Sequence, residues 1–533
     1  MKIAVAQLNY KIGDFASNKE KIFEAISKAE AQGANLVVFS ELSVCGSFPF
    51  DLLKRSDFLA QCKATLDEIA ARCTNIAAIV GAPMQSGDEL YNAAYLLCNG
   101  KIDDCVFKMN VSDNNAISEQ HYFTTNKLWE TFEIGKERVA VLLGNDVIYS
   151  NNDTLIDTIT KSKAAAVINI AAVPFAFNRE VTNEAKTAAG ALVFGTPTIF
   201  VNQVGANAEL IYDGGSCMAN VEGKVIMRMA QFAEDFAIVD TLEIEQTKEL
   251  EPIETDDIAQ IHDALILGIK DYFAKTGFKT ATLGLSGGID SAVVVSLAVE
   301  ALGKENVRVL LMPSKYSSDH SVNDATALAQ NLQIQYDTVA IQPIVDAFGS
   351  SLADVFAGTQ PNVTEENLQA RVRGTLVMAM SNKFGCLLLN TSNKSEAAAG
   401  YGTLYGDLCG GLSILGDVYK TDVFKLARYI NRNGEIIPEN TITKAPSAEL
   451  RPGQKDSDSL PDYSILDAIL FRYIELGKTA EQIIADGFDA STVEKTIRLL
   501  NSNDYKRFQC PPILRVTTKA FGAEWHMPLV AVK

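Results

Sequence analysis

Two spacings of apolar residues alternate along this chain and divide it. Up to about residue 240, short apolar runs at 2–8, 34–42, 75–82, 138–146, 164–172 and 197–204 read as buried strands bounded by turn residues. Between them, residues 18–32 and 179–193 carry helical periodicity. A hairpin is legible at 93–108, where Asn99-Gly100 supplies the left-handed turn that two tightly joined antiparallel strands require. Parallel and hairpin connections together predict a layered α/β sandwich.

Residues 241–257 are rich in charge and lack an apolar face, so they read as a linker. Beyond them the spacing lengthens: helix 257–275, strand 280–285, helix 291–302, strand 307–312, helix 321–332, strand 335–340. That order predicts a doubly wound parallel sheet, whose ligands sit at the carboxyl ends of the strands. Residues 348–362 and 440–460 read as loops able to act as mobile lids over such a site.

Composition narrows the classes. At 533 residues the chain is too long for one core. Its 47 basic and 66 acidic residues give a formal charge of −19, which repels nucleic acid and anionic membrane but leaves room for a local basic pocket. Nine cysteines without a CxxC pair fit free thiols in a reducing compartment. The opening MKIAVAQLNY reads as a strand rather than a secretory leader, and no apolar run approaches the roughly 20 residues that span a bilayer. A cytoplasmic protein is expected.

The strongest local signal is LGLSGGIDSAVVVSLAVEAL. An apolar strand ends at Leu285, the loop Ser286-Gly287-Gly288-Ile289-Asp290-Ser291 follows, and a helix begins at once. Adjacent glycines allow close backbone approach to an anion, and the helix start offers unpaired N–H groups to phosphate oxygens. No lysine follows the glycines, so this is not a GxxxxGK[ST] loop. Asp290 beside phosphate calls for a cation between them, and a hard oxygen-ligated Mg²⁺ is expected. Further motifs fall in register: MPSKYSSDHS at 312–321; ENLQARVRG at 366–374, with Asn367 and Arg371 on one helical face; and LLLNTSNKSEAAAGYGTLYGD at 387–407, with Thr391, Asn393, Lys394 and Glu396. DVYKTDVFKLARYIN carries Lys420, and PSAELRPGQKDSDSLPDY carries Asp456 and Asp458.

On these motifs, residues 258–522 resemble the synthetase domain of the NAD synthetases, and the whole chain resembles their two-domain, glutamine-dependent form. The resemblance implies an adenine nucleotide α-hydrolase-like domain with an ATP pyrophosphatase loop over 258–533. It implies ATP as co-substrate, deamido-NAD as substrate, NAD as product, and a homo-oligomer built on a synthetase dimer. By the same resemblance Gly284, Leu285, Ser286, Gly287, Gly288, Ile289, Asp290, Ser291 and Thr391 would contact ATP. Asn367, Arg371, Glu396 and Lys506 would contact deamido-NAD, Asp290 and Glu396 would ligate Mg²⁺, and Lys420 would partner phosphate charge. The family's ending, Ala-Phe-Gly before an arginine pair, is half present: Ala520-Phe521-Gly522 runs into Ala523-Glu524-Trp525-His526.

Residues 1–240 resemble the nitrilase-like glutaminase domain of the same enzymes, an α-β-β-α sandwich that uses Glu–Lys–Cys. Glu41 and Lys108 match the base and the lysine, but the strand VAVLL ends in Gly144-Asn145-Asp146 where the family reads Cys-Glu-Asp. Glycine cannot form the thioester that glutamine hydrolysis needs. A laboratory exchange would explain Gly144 alone. Val111-Ser112-Asp113-Asn114 and Ala206-Asn207-Ala208 also depart from the family pattern, which points to natural loss and to free ammonia as the nitrogen source. Two other classes compete. A tRNA-modifying relative would need a basic surface, and a nucleotide-binding pseudoenzyme would bind ATP without turnover.

Overall fold

Ile3 and Val5 leave the first strand on one side and Ala4 and Ala6 on the other, and both sets are wholly buried in different apolar clusters. A strand buried on both faces must lie between two layers. The computed structural model describes residues 1–111, 113–114, 117–126, 129–148, 153–177, 179–253 and 256–530. It forms two compact units, Met1–Thr255 and Asp256–Lys533.

In the first unit, one six-stranded sheet runs Asp235–Asp240, Lys2–Gln7, Leu36–Val38, Ala77–Ser86, Glu89–Cys98, Lys101–Phe107. Its centre is parallel and its flanks are antiparallel. The other runs Val225–Arg228, Cys217–Ala219, Thr198–Asn202, Ala166–Ala171, Glu137–Leu143, Phe132–Ile134. Ile3, Val5, Val38 and Ile79 of one sheet meet Val141, Leu143, Ile168 and Val201 of the other. On the outer faces, helices Phe15–Ala31 and Ser56–Arg72 bury Ile22, Ile26, Leu66 and Ile69 against the first sheet. Helix Asp153–Ser162 buries Leu155 and Ile159 against the second. This is the expected α-β-β-α sandwich.

The turn at Asn99-Gly100 has φ of +52° and +74°, as its sequence requires. The expected strand 138–146 stops at Leu143, and Gly144–Ile148 coils into a 3₁₀ turn. The charged run after Asp240 is anchored, with Ile244 buried in the intersheet core and the Leu250 N–H donating to Val225 O. In the segment expected to have drifted, Ser112 lies outside the described residues, as do Glu254 and Thr255 in the expected linker.

The second unit holds a five-stranded, wholly parallel sheet in the order Gln335–Thr338, Val307–Leu311, Ala281–Gly284, Leu387–Asn390, Leu412–Ser413. Strand order reverses between Ala281–Gly284 and Leu387–Asn390, and the crevice beyond their carboxyl ends is where doubly wound sheets place their ligands. Helix Asp257–Thr276 begins on an Asp256 cap and stops at left-handed Gly277, φ +88°. Residues 348–352, expected in a loop, end helix Gln342–Leu352, which carries Pro343 in its first turn and keeps Ile344, Val345 and Phe348 at helical spacing. The 440–460 stretch likewise opens in helix Glu439–Thr443. Among the described residues no helix is long and apolar enough to cross a membrane.

Candidate active site

The strand Ala281–Gly284 ends at the switch point, and the helix Ile289–Leu302 starts five residues later with Gly288 as its N-cap, which offers no side chain to cap it. Ser286 and Ser291 face each other at 3.1 Å between hydroxyls, and the Gly288 N–H donates to Ser286 Oγ at 3.1 Å. This loop opens into a cavity of 710 Å³, within the range that holds small-molecule ligands. Of the loop residues expected at ATP, Gly284, Leu285, Ser286, Gly288, Ile289, Asp290 and Ser291 line the cavity, as does Thr391. Gly287 has a different task. With φ +79° and an ideal Cβ position 2.2 Å from Ser321 O, only glycine lets the loop lie against the next helix, Asp319–Asn331.

Asp290, on the first turn of the loop helix, meets two partners from distant elements. Asn393 Nδ2 donates to its Oδ1 at 2.8 Å, and Lys420 Nζ donates to its Oδ2 at 2.5 Å. Lys420 Nζ also lies 3.4 Å from Glu396 Oε1. Asn393 caps the short helix Lys394–Ala399 through a capping box with Glu396, which fixes where that carboxylate projects. Burial first, and then the Asp290 charge, push the Glu396 carboxyl up to about 8. For Lys420 burial works the other way, yet Asp290 and Glu396 outweigh it and hold the ammonium above its usual range. Two hard oxygen donors that oppose each other's ionisation suit a divalent cation such as Mg²⁺, although Lys420 already bridges them. Among the described residues no group of three or more His, Cys, Asp or Glu side chains is arranged to hold a metal ion.

Asn367, Arg371 and Lys506 also line the cavity, each tied to the Gly400–Leu404 loop. Thr403 Oγ1 donates to Asn367 Oδ1, Arg371 Nε donates to Leu404 O, and Lys506 Nζ donates to Gly400 O and Gly402 O at 2.7 and 3.0 Å. Burial lowers the Lys506 ammonium from its usual range. Lys394, grouped with Thr391 and Glu396 by sequence, is instead fully buried on Asp417, Glu475 and Thr517. Sequence reading passed over Asp407, Glu449 and Arg373, all of which line the cavity. Glu449 accepts from the Ser318 and Ser321 hydroxyls, both at 2.8 Å, and so fastens the 440–460 stretch to helix Asp319–Asn331. The departure at the C-terminal end is packed: Glu524 accepts from Arg515 Nε at 2.9 Å and from the Ala520 N–H.

The first unit brings a second charged cluster together. Lys108 Nζ lies 2.7 Å from Glu41 Oε1 and 2.8 Å from Glu119 Oε1, and all three side chains are buried. Asn92 Nδ2 and the Ala172 N–H complete the shell of Glu41. Burial would lower the Lys108 ammonium, but Glu119 and Glu41 outweigh it and raise it well above its usual range. Gly144 closes the cluster at φ +54°; a Cβ there would stand 2.8 Å from Lys108 Nζ and 3.2 Å from Glu41 Oε2. Asp146 is buried and accepts the Met109 and Asn110 N–H groups, and burial pushes its carboxyl up to about 6.

A glycine-rich strand–loop–helix at the switch point of a parallel sheet, joined in one chain to a nitrilase-type sandwich, is the architecture of a two-domain ATP-dependent carbon–nitrogen ligase. Family comparison agrees unit by unit: the carbon-nitrogen hydrolase profile matches residues 2–249 and the NAD synthase profile matches residues 261–510. The chain belongs to the two-domain glutamine-dependent NAD(+) synthetase family. It is similar, at 42% identity over 99% of this chain and 98% of the relative, to the glutamine-dependent NAD(+) synthetase of Synechocystis sp.. It superposes with a TM-score of 0.79 on the glutamine-dependent NAD(+) synthetase of Acinetobacter baumannii, solved with ADP, at 36% identity over 99% of this chain and 98% of that one. The Cytophaga hutchinsonii enzyme shares the fold at 20% identity and a TM-score of 0.85, over 100% and 98% of the two chains.

Proposed function

We propose that the chain is an NAD synthetase that draws on free ammonia. Residues 258–533 amidate deamido-NAD at the expense of ATP, and residues 1–240 persist as a scaffold. The nicotinate carboxylate attacks the α-phosphorus of ATP. A carboxyl–phosphate bond forms as the bond to the β-phosphate breaks, and pyrophosphate leaves. Ammonia then adds to the acyl carbon, AMP departs, and a nitrogen-bound proton passes to a nearby base. Ser286–Ser291 and Thr391 grip ATP, while Asn367, Arg371, Glu396 and Lys506 hold the dinucleotide. Lys420 places positive charge where negative charge develops on the departing pyrophosphate. Asp290 and Glu396 would hold Mg²⁺, which when bound supplies further charge neutralisation for the departing pyrophosphate.

The observation that carries the ammonia reading is Gly144. It stands against Lys108 and Glu41, where a nucleophile would serve glutamine hydrolysis, and has no side chain to offer. The names of the relatives favour a second reading, glutamine-dependent amidation. We also read the chain as a homo-oligomer. Helix Gln342–Leu352 has no buried residue, and Phe348, Phe356 and Val363 nearby in sequence are exposed. NAD formation measured with ammonium chloride and with glutamine on one preparation tests the proposal. NAD from ammonium without glutamate release from glutamine is the expected result. Stoichiometric glutamate would establish the second reading.

A further inference from the structure

Among the described residues five cationic side chains line the ligase cavity: Arg371, Arg373, Lys420, Lys444 and Lys506. Three have their charge answered by protein oxygens. Lys420 pairs with Asp290 and Glu396, Lys444 with Asp324 at 3.3 Å, and Lys506 donates to two carbonyls. Arg371 is tied to Leu404 O and carries the dinucleotide assignment above. Arg373 has no assignment. Its Nε donates to Met312 O at 3.2 Å, and the rest of its five-donor fork has no protein acceptor among the described residues.

Its place is specific. Arg373 lies one turn before Val377 on helix Val363–Phe384, and Val377 packs 3.7 Å from where a Cβ on Gly284 would stand. Met312 follows the strand Val307–Leu311, so the guanidinium lies by the carboxyl ends of that strand and of the strand Ala281–Gly284. Burial pulls the guanidinium below its usual range, and the Glu449 and Asp407 charges only partly offset this, with no ion pair to either among the described residues. A desolvated guanidinium without a direct ion-pair partner is costly, and a planar fork with free donors fits phosphate oxygens. A role confined to pinning the helix to Met312 would use one donor and leave the charge unexplained.

We propose that Arg373 is a phosphate-contact residue of the ligase cavity, gripping phosphate oxygens of a bound nucleotide. The inference rests on the reading of this cavity as the site for ATP and a dinucleotide. Phosphate can come from either, and the experiment separates the two. Calorimetric titration of the full chain with ATP alone and with deamido-NAD alone is compared for the unaltered protein, Arg373→Lys and Arg373→Met. Arg373→Met weakens one of the two nucleotides by about tenfold or more, and Arg373→Lys, which keeps the charge without the fork, recovers part of the loss. The nucleotide that weakens identifies the source of the phosphate. In steady state the same variant raises KM for that nucleotide and moves KM for ammonium by less than about threefold. Affinities for both nucleotides within about threefold in Arg373→Met overturn the proposal, as does failure of both variants to fold. If the unaltered chain binds both nucleotides yet makes no NAD, the proposed function falls while the titrations still decide the role of Arg373.

Discussion

Each unit of this molecule places a buried lysine between two carboxylates, and the two clusters differ in what surrounds them. Lys108 is held almost evenly, 2.7 Å from Glu41 and 2.8 Å from Glu119, with an asparagine and a backbone N–H completing the shell. Lys420 is held unevenly, 2.5 Å from Asp290 and 3.4 Å from Glu396, on the wall of a 710 Å³ cavity beside the Ser286–Ser291 loop. The even cluster is closed by neutral donors, the Asn92 amide and the Ala172 N–H, around one cation and two carboxylates. In the uneven one burial first, and then the Asp290 charge, push the Glu396 carboxyl up to about 8. On the proposed function only the second cluster takes part in NAD formation from ammonia, so a cation between carboxylates would not by itself mark that chemistry. What separates the two clusters is the open cavity that Lys420, Asp290 and Glu396 line.

Exchanging the two lysines should break the likeness most visibly. Lys420→Met is expected to lower kcat for NAD formation by about 10³-fold, because charge developing on pyrophosphate loses its nearest protein cation. Lys108→Met, assayed with ammonium, should stay within about threefold of the unaltered enzyme, since it lies outside the proposed route. A comparable collapse in both variants would sink the proposed division of labour between the two clusters. The costs reverse in folding. Lys108→Met strands Glu41 and Glu119 in a buried site, and denaturant unfolding of the first unit should show a loss of about 3–5 kcal/mol.

A smaller effect comes from Gly144. Its φ of +54° disfavours any other residue, and a Cβ would press on an ammonium that two carboxylates already fix in place. Gly144→Ala should cost about 1–3 kcal/mol of stability and leave ammonia-dependent NAD formation unchanged. Denaturation midpoints with parallel turnover assays would check this, and an unchanged midpoint would mean the cluster has more slack than its distances imply.

How much of this was legible in the sequence depends on the range of the contacts. The Asn99-Gly100 turn, the strand–loop–helix around Ser286 and the alternation of Ile3 through Ala6 are local, and the fold follows from such features. The site is not local. Lys420 reaches Asp290 across 130 positions and Asn393 reaches it across 103. A motif match could name these residues but could not say that they touch. Lys394 shows the limit most clearly, since it is two residues from Glu396 yet turns into a buried network away from the cavity. Helix Ser56–Arg72 escaped notice because Phe58, Cys62, Thr65, Leu66 and Ile69 make a narrow apolar stripe among charges. Arg373 escaped because nothing in ENLQARVRG distinguishes a guanidinium tied to the Leu404 carbonyl from one with donors to spare.

His262 offers a third cation between carboxylates and sharpens the comparison at its weak end. Its ring nitrogens lie 2.9 Å from Asp263 and 3.0 Å from Glu300; the ring is buried, but both carboxylates are about half exposed. Burial lowers the imidazolium, yet the two carboxylates outweigh it and raise the group to about 9. A folded value above the ordinary 6.5 means that the folded state binds the proton more tightly. The stabilisation is then complete below about pH 6.5 and disappears as pH rises through about 9. Unlike the two lysines, this cation can be switched off within an accessible range. The gap in thermal midpoint between the unaltered protein and His262→Gln should be widest near pH 6 and close by about pH 10. Because the carboxylates are solvated, the gap should also be modest and shrink with added salt. A gap that is constant across pH would assign His262 to packing against Tyr429, whose ring centroid is 5.2 Å away, rather than to charge.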